Sequence, residues 1–219
     1  PKARIGSGPA GSSQYLLLCL RFSDFFIDFD CVTFWIYMQK SSGRESSYIN
    51  KRNIIMTIKI GDLMPEGEFK LMGEGGPEGL TTKDLFSNKR VVLFSVPGAF
   101  TPTCSAQHLP GYIETSDALK EKGVDAVVCM AVNDAFVMSA WGQAAGAEGK
   151  VLMLADGNAE YARALGLELD ASGFGMGTRG QRFSIIVDDG VVVELNIEAP
   201  GEFKVSSAEV ALEQVAAGK

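Results

Sequence analysis

The sequence predicts an α/β fold with a mixed central sheet flanked by helices, and three observations lead to it. Apolar, β-branched runs at residues 90–96, 125–132 and 151–154 have the composition and length of buried strands. Stretches with helical start and stop signals separate these runs, which implies parallel crossovers between neighbouring strands. Near the end of the chain, runs at 182–187 and 191–197 flank Asp188-Asp189-Gly190. That is a hairpin signal, and it adds an antiparallel edge to the sheet.

The elements follow in order from Met56. Residues 57–60 and 69–71 predict short strands around a Gly/Pro-rich turn, and residues 82–86 predict one helical turn. The run at 90–96 is the central strand, ended by Pro97-Gly98. A helix is expected from about Thr103 to Lys122, stopped by Gly123, with Pro110 kinking or breaking it. After the strand at 125–132, Asp134 caps a helix over 135–145. The strand at 151–154 is followed by a short helix over 159–165, ended by Gly166. Beyond the hairpin, Ser206-Ser207-Ala208-Glu209 reads as a capping box opening a final amphipathic helix that stops at Gly218.

Composition bounds what such a domain does. The 219 residues are 46% hydrophobic and 21% charged, a globular balance, and the net charge is −7. An acidic surface repels phosphate backbones, so a nucleic-acid partner is not expected, and no uncharged run reaches the ~18 residues of a membrane span. The chain has one histidine, which excludes multi-histidine metal sites, so no metal is expected. Four cysteines are too few for a disulfide-stapled scaffold of this length.

The first quarter differs from the rest. Residues 1–55 carry seven basic and four acidic residues and nine of the 20 aromatics, whereas thirteen basic and twenty-three acidic residues follow. A shift that sharp marks a boundary near Met56. Residues 1–55 are therefore expected to be an appendage (a read-through or leader outside the fold), and residues 56–219 the domain. Arg21, Asp24, Asp28 and Asp30 interrupt the apolar part of this stretch, which suits neither a membrane span nor an acid-poor transit peptide.

The chemistry concentrates in Pro97-Gly98-Ala99-Phe100-Thr101-Pro102-Thr103-Cys104. This places a thiol just after a buried strand and in the first turn of a helix, where free N–H groups and the helix dipole stabilise an anion. A thiolate is the reactive form of cysteine. Thr101 lies three residues upstream, so its hydroxyl is expected to point at the same spot, and the two prolines stiffen the loop. A dithiol exchanger needs C-x-x-C; here the pattern is Thr101-x-x-Cys104. One sulfur forms no local disulfide, but it attacks a peroxide and becomes a sulfenic acid. Arg182 opens an otherwise apolar strand, where its charge needs a partner, and a thiolate is the obvious anion. Arg179 lies in a Gly-rich loop and is expected to be solvated. His108 follows Cys104 by four residues on the same helical face and is placed near the site without a catalytic role. The match of Gly175-Met176-Gly177-Thr178-Arg179-Gly180 to a dinucleotide fingerprint fails, because a strand follows it.

The octapeptide and its continuation Ser105-Ala106-Gln107-His108-Leu109-Pro110-Gly111 resemble the peroxidatic motif of peroxiredoxins, in the peroxiredoxin-5 or type II branch. The likeness extends through 131–137, Trp141-Gly142, 154–156 and 181–184, covering about residues 57–217. The resemblance implies a thioredoxin-like fold and a thiol peroxidase for hydrogen peroxide and small alkyl hydroperoxides, with no cofactor. By it, Cys104 is the peroxidatic cysteine, Thr101 its hydrogen-bonding partner, Pro97 a shield of the thiol, and Arg182 the arginine that stabilises thiolate and leaving oxygen. Members of this branch usually form homodimers near the active site.

Animal members carry a resolving cysteine close to the C-terminus, but here residues 202–207 read Glu-Phe-Lys-Val-Ser-Ser and no cysteine follows Cys129. Cys129 resembles the second cysteine of bacterial and plant members, in a strand that reads as buried. The simplest resolution is therefore an external thiol, glutathione with glutaredoxin first and thioredoxin second; thioredoxin turnover through Cys129 is the alternative. A peroxide-sensing switch or partner-binding module is the reading from another class. Acidic charge and unpaired cysteines suit a reducing compartment such as the cytoplasm.

Overall fold

Residues 56–218 are described by the computed structural model; the expectation for residues 1–55 lies outside the described residues. One seven-stranded sheet runs in the order β2-β1-β5-β4-β3-β8-β9. Its strands are β1 (Glu68–Gly73), β2 (Gly76–Thr81), β3 (Arg90–Ser95), β4 (Ala126–Ala131), β5 (Leu152–Ala155), β8 (Phe183–Asp188) and β9 (Val191–Ile197). The pairs β3/β4 and β4/β5 are parallel, while β1/β2, β1/β5, β3/β8 and β8/β9 are antiparallel. The mixed sheet expected from the sequence is the one observed. Parallel neighbours require crossovers, and α2 (Leu109–Glu121) and α3 (Ala135–Ala145) supply them. The shorter helices are α1 (Thr82–Phe86) and α4 (Glu160–Ala164), and α5 (Ala208–Ala217) ends the described chain.

Alternation along β3 divides the interior into two cores. Val92 and Phe94 face a cluster with Cys104, Leu109, Tyr112, Cys129, Trp141 and Val215, under α2, α3 and α5. Val91 and Leu93 face the other side, with Phe69, Leu85, Met130, Leu154, Tyr161 and Ile185. A strand covered on both faces has no reason to alternate polar and apolar residues, which is why β3 and β4 read as continuous apolar runs.

Two local expectations are corrected, and three strands appear that the sequence did not predict. Residues 57–60 form no strand; instead the Ile58 N–H donates to the Leu165 carbonyl at 2.9 Å and the Gly61 N–H to the Val192 carbonyl at 2.8 Å. The segment spans two different elements and so follows no single neighbour. Conversely, β2 is a strand the sequence did not predict, since Gly76, Pro77 and Gly79 weaken its pattern; at the sheet edge, pairing with β1 tolerates them. The strands β6 (Glu168–Asp170) and β7 (Thr178–Gly180) pair in a small separate sheet, also masked by glycines. Finally, the cap of α5 is Ser207, whose hydroxyl accepts from Val210 N–H at 3.4 Å, so the box expected from Ser206 to Glu209 does not form. Ser206 is drawn away to Glu198.

Pro110 neither breaks nor ends its helix. Cys104–His108 is a π-helical turn in which the Leu109 N–H donates to the Cys104 carbonyl. The wider turn leads into α2 with Pro110 in the first turn, where no N–H is needed. The Asp134 cap is as expected, accepting from Val137 N–H at 2.9 Å. Replacing it by alanine is expected to cost about 1 kcal/mol. The thermal midpoint, followed by circular dichroism, should then fall by roughly 2–4 °C; an unchanged midpoint would contradict the capping role.

Candidate active site

Strand β3 runs out at Ser95, and the chain turns through Pro97 and Gly98 into the first turn of the next helix. The turn is tightly built. Ala99 N–H donates to Asn133 Oδ1 at 3.0 Å, and Phe100 sits at φ 60°, left-handed for a bulky residue. A Cβ on Gly98 would stand 3.1 Å from Arg179 Nη1 and 3.3 Å from Thr101 Cγ2, so only glycine fits unstrained. The Thr101 carbonyl accepts from Ser105 N–H at 3.0 Å, which winds the first turn and carries Cys104 into the interior, fully buried.

Arg182 reaches the sulfur. Its Nη2 donates to Cys104 Sγ at 3.5 Å, the one hydrogen bond to that sulfur among the described residues. The sheet register explains the meeting. Ser95 pairs with Phe183 across β3/β8, so the residue preceding β8 lies where the β3 loop begins. Arg182 is also held from two other sides: Nη1 lies 3.0 Å from His108 Nδ1, and the guanidinium sits over the Phe203 ring at 5.7 Å from its centroid.

The sequence placed His108 near the site, and the structure makes it a bridge. Its Nε2 lies 3.0 Å from the Ser206 carbonyl. A carbonyl only accepts, so Nε2 carries the proton and Nδ1 accepts from Arg182. Phe94 and Phe203 flank the ring at 4.9 and 4.8 Å between centroids. Burial, then the neighbouring Arg182 charge, lowers the His108 pKa to about 3, against the Ser206 hydrogen bond and the Glu198 charge. Imidazole therefore stays neutral at physiological pH and available as an acceptor.

The other expected residues are placed as follows. Pro97 is half-buried in the turn leading to the helix of Cys104. The Thr101 hydroxyl donates to the Gly98 carbonyl at 2.9 Å and so braces the turn; it does not hydrogen-bond Cys104 as anticipated. Cys129 is fully buried in the middle of β4, paired with Phe94. Burial pushes its thiol well up, and the neighbouring Cys104 adds to this. Arg179 is corrected most clearly. Far from being solvated, it donates through Nε to the Met176 carbonyl at 2.8 Å and through Nη1 to the Val132 carbonyl at 3.1 Å. It ties the β7 loop to the end of β4, against the Gly98 turn. Sequence reading missed Asn133, Phe203, Ser206 and Glu198, since no local pattern marks a residue whose partner lies in a distant part of the chain. Among the described residues no helix is long and apolar enough to cross a membrane.

The family model described as Redoxin matches residues 59–212. Peroxiredoxin-2E-2, chloroplastic, of Oryza sativa subsp. japonica is 47% identical over 161 residues, covering 71% of this chain and 72% of its own. Peroxiredoxin-2B of Arabidopsis thaliana is 46% identical over 153 residues, covering 69% of this chain and 94% of its own. Among solved structures, the reduced Prx3 of Vibrio vulnificus in complex with hydrogen peroxide superposes with a TM-score of 0.70 at 52% identity, covering 73% of this chain and 99% of that one.

The depressed His108 pKa carries a sign. A histidine held neutral stabilises the fold above its unfolded pKa near 6.5 and loses that contribution as pH falls toward about 3. Denaturation midpoints should therefore decline through this window, at up to about 1.4 kcal/mol per pH unit from this one group. A His108→Asn variant is expected to flatten that decline; equal slopes in both proteins would refute the assignment.

Proposed function

The chain belongs to the redoxin family as a peroxiredoxin, a thiol-dependent peroxidase of thioredoxin-like α/β fold, and from that premise we propose that Cys104 is the peroxidatic sulfur. The observation that carries this reading is the guanidinium of Arg182 at 3.5 Å from Cys104 Sγ, at the start of a helix. The thiolate attacks the distal peroxide oxygen, the O–O bond breaks, and an S–O bond forms. The sulfur loses two electrons and becomes a sulfenic acid, while hydroxide or alkoxide leaves and takes a proton from water. Arg182 stabilises both the attacking sulfur and the departing oxygen. Thr101 keeps its turn closed through the Gly98 carbonyl, and Pro97 shields the thiol.

Hydrogen peroxide and small alkyl hydroperoxides are the substrates that suit so buried a sulfur. For the return half of the cycle we favour an external thiol, glutathione with glutaredoxin ahead of thioredoxin. Attack on the sulfenic acid releases water and leaves a mixed disulfide, which a second thiol reduces. Full burial of Cys129 in mid-strand, with its thiol pushed up, supports packing over resolution. Unpaired buried cysteines suit a reducing compartment, the cytoplasm in our reading. Phe100, Phe136, Phe174 and Val205 are exposed apolar side chains, and we propose that a second copy of this chain covers Phe100 and its neighbours. Sedimentation should accordingly give twice the chain mass, and a monomer at micromolar concentration would refute it.

Steady-state peroxide consumption tests the chemistry. Cys104→Ser should abolish turnover, and Arg182→Met should lower kcat/KM by about 10²–10³-fold, as for loss of one oxyanion donor. With glutathione and glutaredoxin, Cys129→Ser should turn over like the wild type. Turnover with thioredoxin alone, lost in Cys129→Ser, would make Cys129 the resolving residue instead.

A further inference from the structure

A buried carboxylate beside the site, Glu198, has no part in the chemistry described so far. It is 8% exposed, and among the described residues it makes no ion pair. A buried carboxylate without a cation is costly unless donors surround it. Here four do, all on Oε1: the N–H groups of Lys204, Val205 and Ser206 at 2.7, 2.8 and 2.8 Å, and the Ser206 hydroxyl at 2.9 Å. Burial alone would push the Glu198 carboxyl up; these donors outweigh it and hold the group below the usual carboxylate range.

What those bonds fix is the segment that holds the arginine. The carboxylate gathers 204–206 into a closed turn, and that turn aims the Ser206 carbonyl at His108 Nε2 and at the Tyr112 hydroxyl, 3.0 and 3.1 Å away. Phe203, in the same turn, supplies the ring beneath Arg182 and beside His108. Glu198 also closes the loop from its other end, since its own N–H donates to the Arg182 carbonyl at 3.0 Å. Side chain and main chain of one residue thus set two of the surfaces that Arg182 rests on.

We propose that Glu198 is a positioning residue for the peroxide reaction: its carboxylate closes the 199–206 segment so that Ser206 and Phe203 hold His108 and Arg182 on the Cys104 sulfur. This rests on the reading of the site given above. The reaction places no proton on Glu198 and takes none from it. Its action passes entirely through Arg182.

Two readouts test this, and a merely structural role would not move them together. First, Glu198→Ala should lower kcat/KM for hydrogen peroxide about tenfold, less than the roughly 10²-fold cost of a full 1 Å misplacement. In an Arg182→Met background the same change should cost less than about twofold, because the group it positions is gone. Second, His108 is the one histidine of the chain, so its ring ¹⁵N resonances are unambiguous. In the wild type the imidazole should remain neutral down to about pH 5, and in Glu198→Ala it should titrate between about pH 5 and 7 as the turn opens to water. A turn that stayed closed would show the opposite, because losing the carboxylate charge alone drives the imidazole further down. Glu198→Gln, which keeps the shape and one acceptor, should move both readouts the same way by less, and it decides alone if Glu198→Ala does not fold. Wild-type kinetics, an equal loss in both arginine backgrounds, or an imidazole that never titrates would overturn the proposal. A wild-type protein that consumes no peroxide, or a Cys104→Ser variant that still does, would instead remove the site reading itself.

Discussion

The structure depends on holding a guanidinium against a sulfur without neutralising it. Arg182 makes no carboxylate ion pair among the described residues; its partners are the Cys104 sulfur, an imidazole nitrogen and an aromatic face. A carboxylate in the His108 position would fix the arginine equally well but would take up its charge. A neutral imidazole orients it and leaves the field directed at the sulfur. The arrangement works only while His108 stays unprotonated, since an imidazolium would present a donor and a positive charge to Arg182. Burial between Phe94 and Phe203 secures that neutrality, so the aromatic packing is part of the electrostatics.

The sheet makes this geometry nearly unavoidable. Ser95 opposes Phe183, and Phe183 opposes Ile197. One residue further, the ends of three adjacent strands deliver the turn to Cys104, the guanidinium of Arg182 and the carboxylate of Glu198 in a single row. A register slip of one residue on β8 would turn Arg182 to the other face of the sheet, away from the sulfur. The two ends of the polar chain, Arg182 and Glu198, are therefore set by backbone pairing, and the 199–206 segment that Glu198 closes carries Ser206 to His108 between them.

That dependence decides what was legible in the sequence. Cys104 and Arg182 stand out locally, one by its turn and the other by its charge at the start of an apolar strand. The buried strands and the Asp134-capped helix are legible for the same reason, because each is specified within its own window. Pairing across the chain is not. The edge strand β2 is stabilised by β1 in spite of Pro77 and two glycines, and Arg179 finds a distant acceptor on the Val132 carbonyl that no spacing rule connects. Ser206 and Glu209 satisfied a local capping pattern, yet Ser206 went to Glu198, eight residues earlier, and Ser207 took the cap. A tertiary partner with four donors to satisfy outweighs one capping bond.

The two described cysteines make the same point in chemical form. Cys104 and Cys129 are both fully buried, both border the core that contains Phe94, and both lack a disulfide. Burial by itself suppresses a thiolate, and at Cys129, paired inside the sheet with no cation beside it, nothing opposes that effect. At Cys104 the same burial comes with a helix start and the Arg182 guanidinium, whose Nη2 donates to the sulfur at 3.5 Å. The two sulfurs thus differ by their place, one at a strand end facing a guanidinium and one in mid-strand, and not by residue type. In the middle of the sheet the same side chain is part of the core around Phe94.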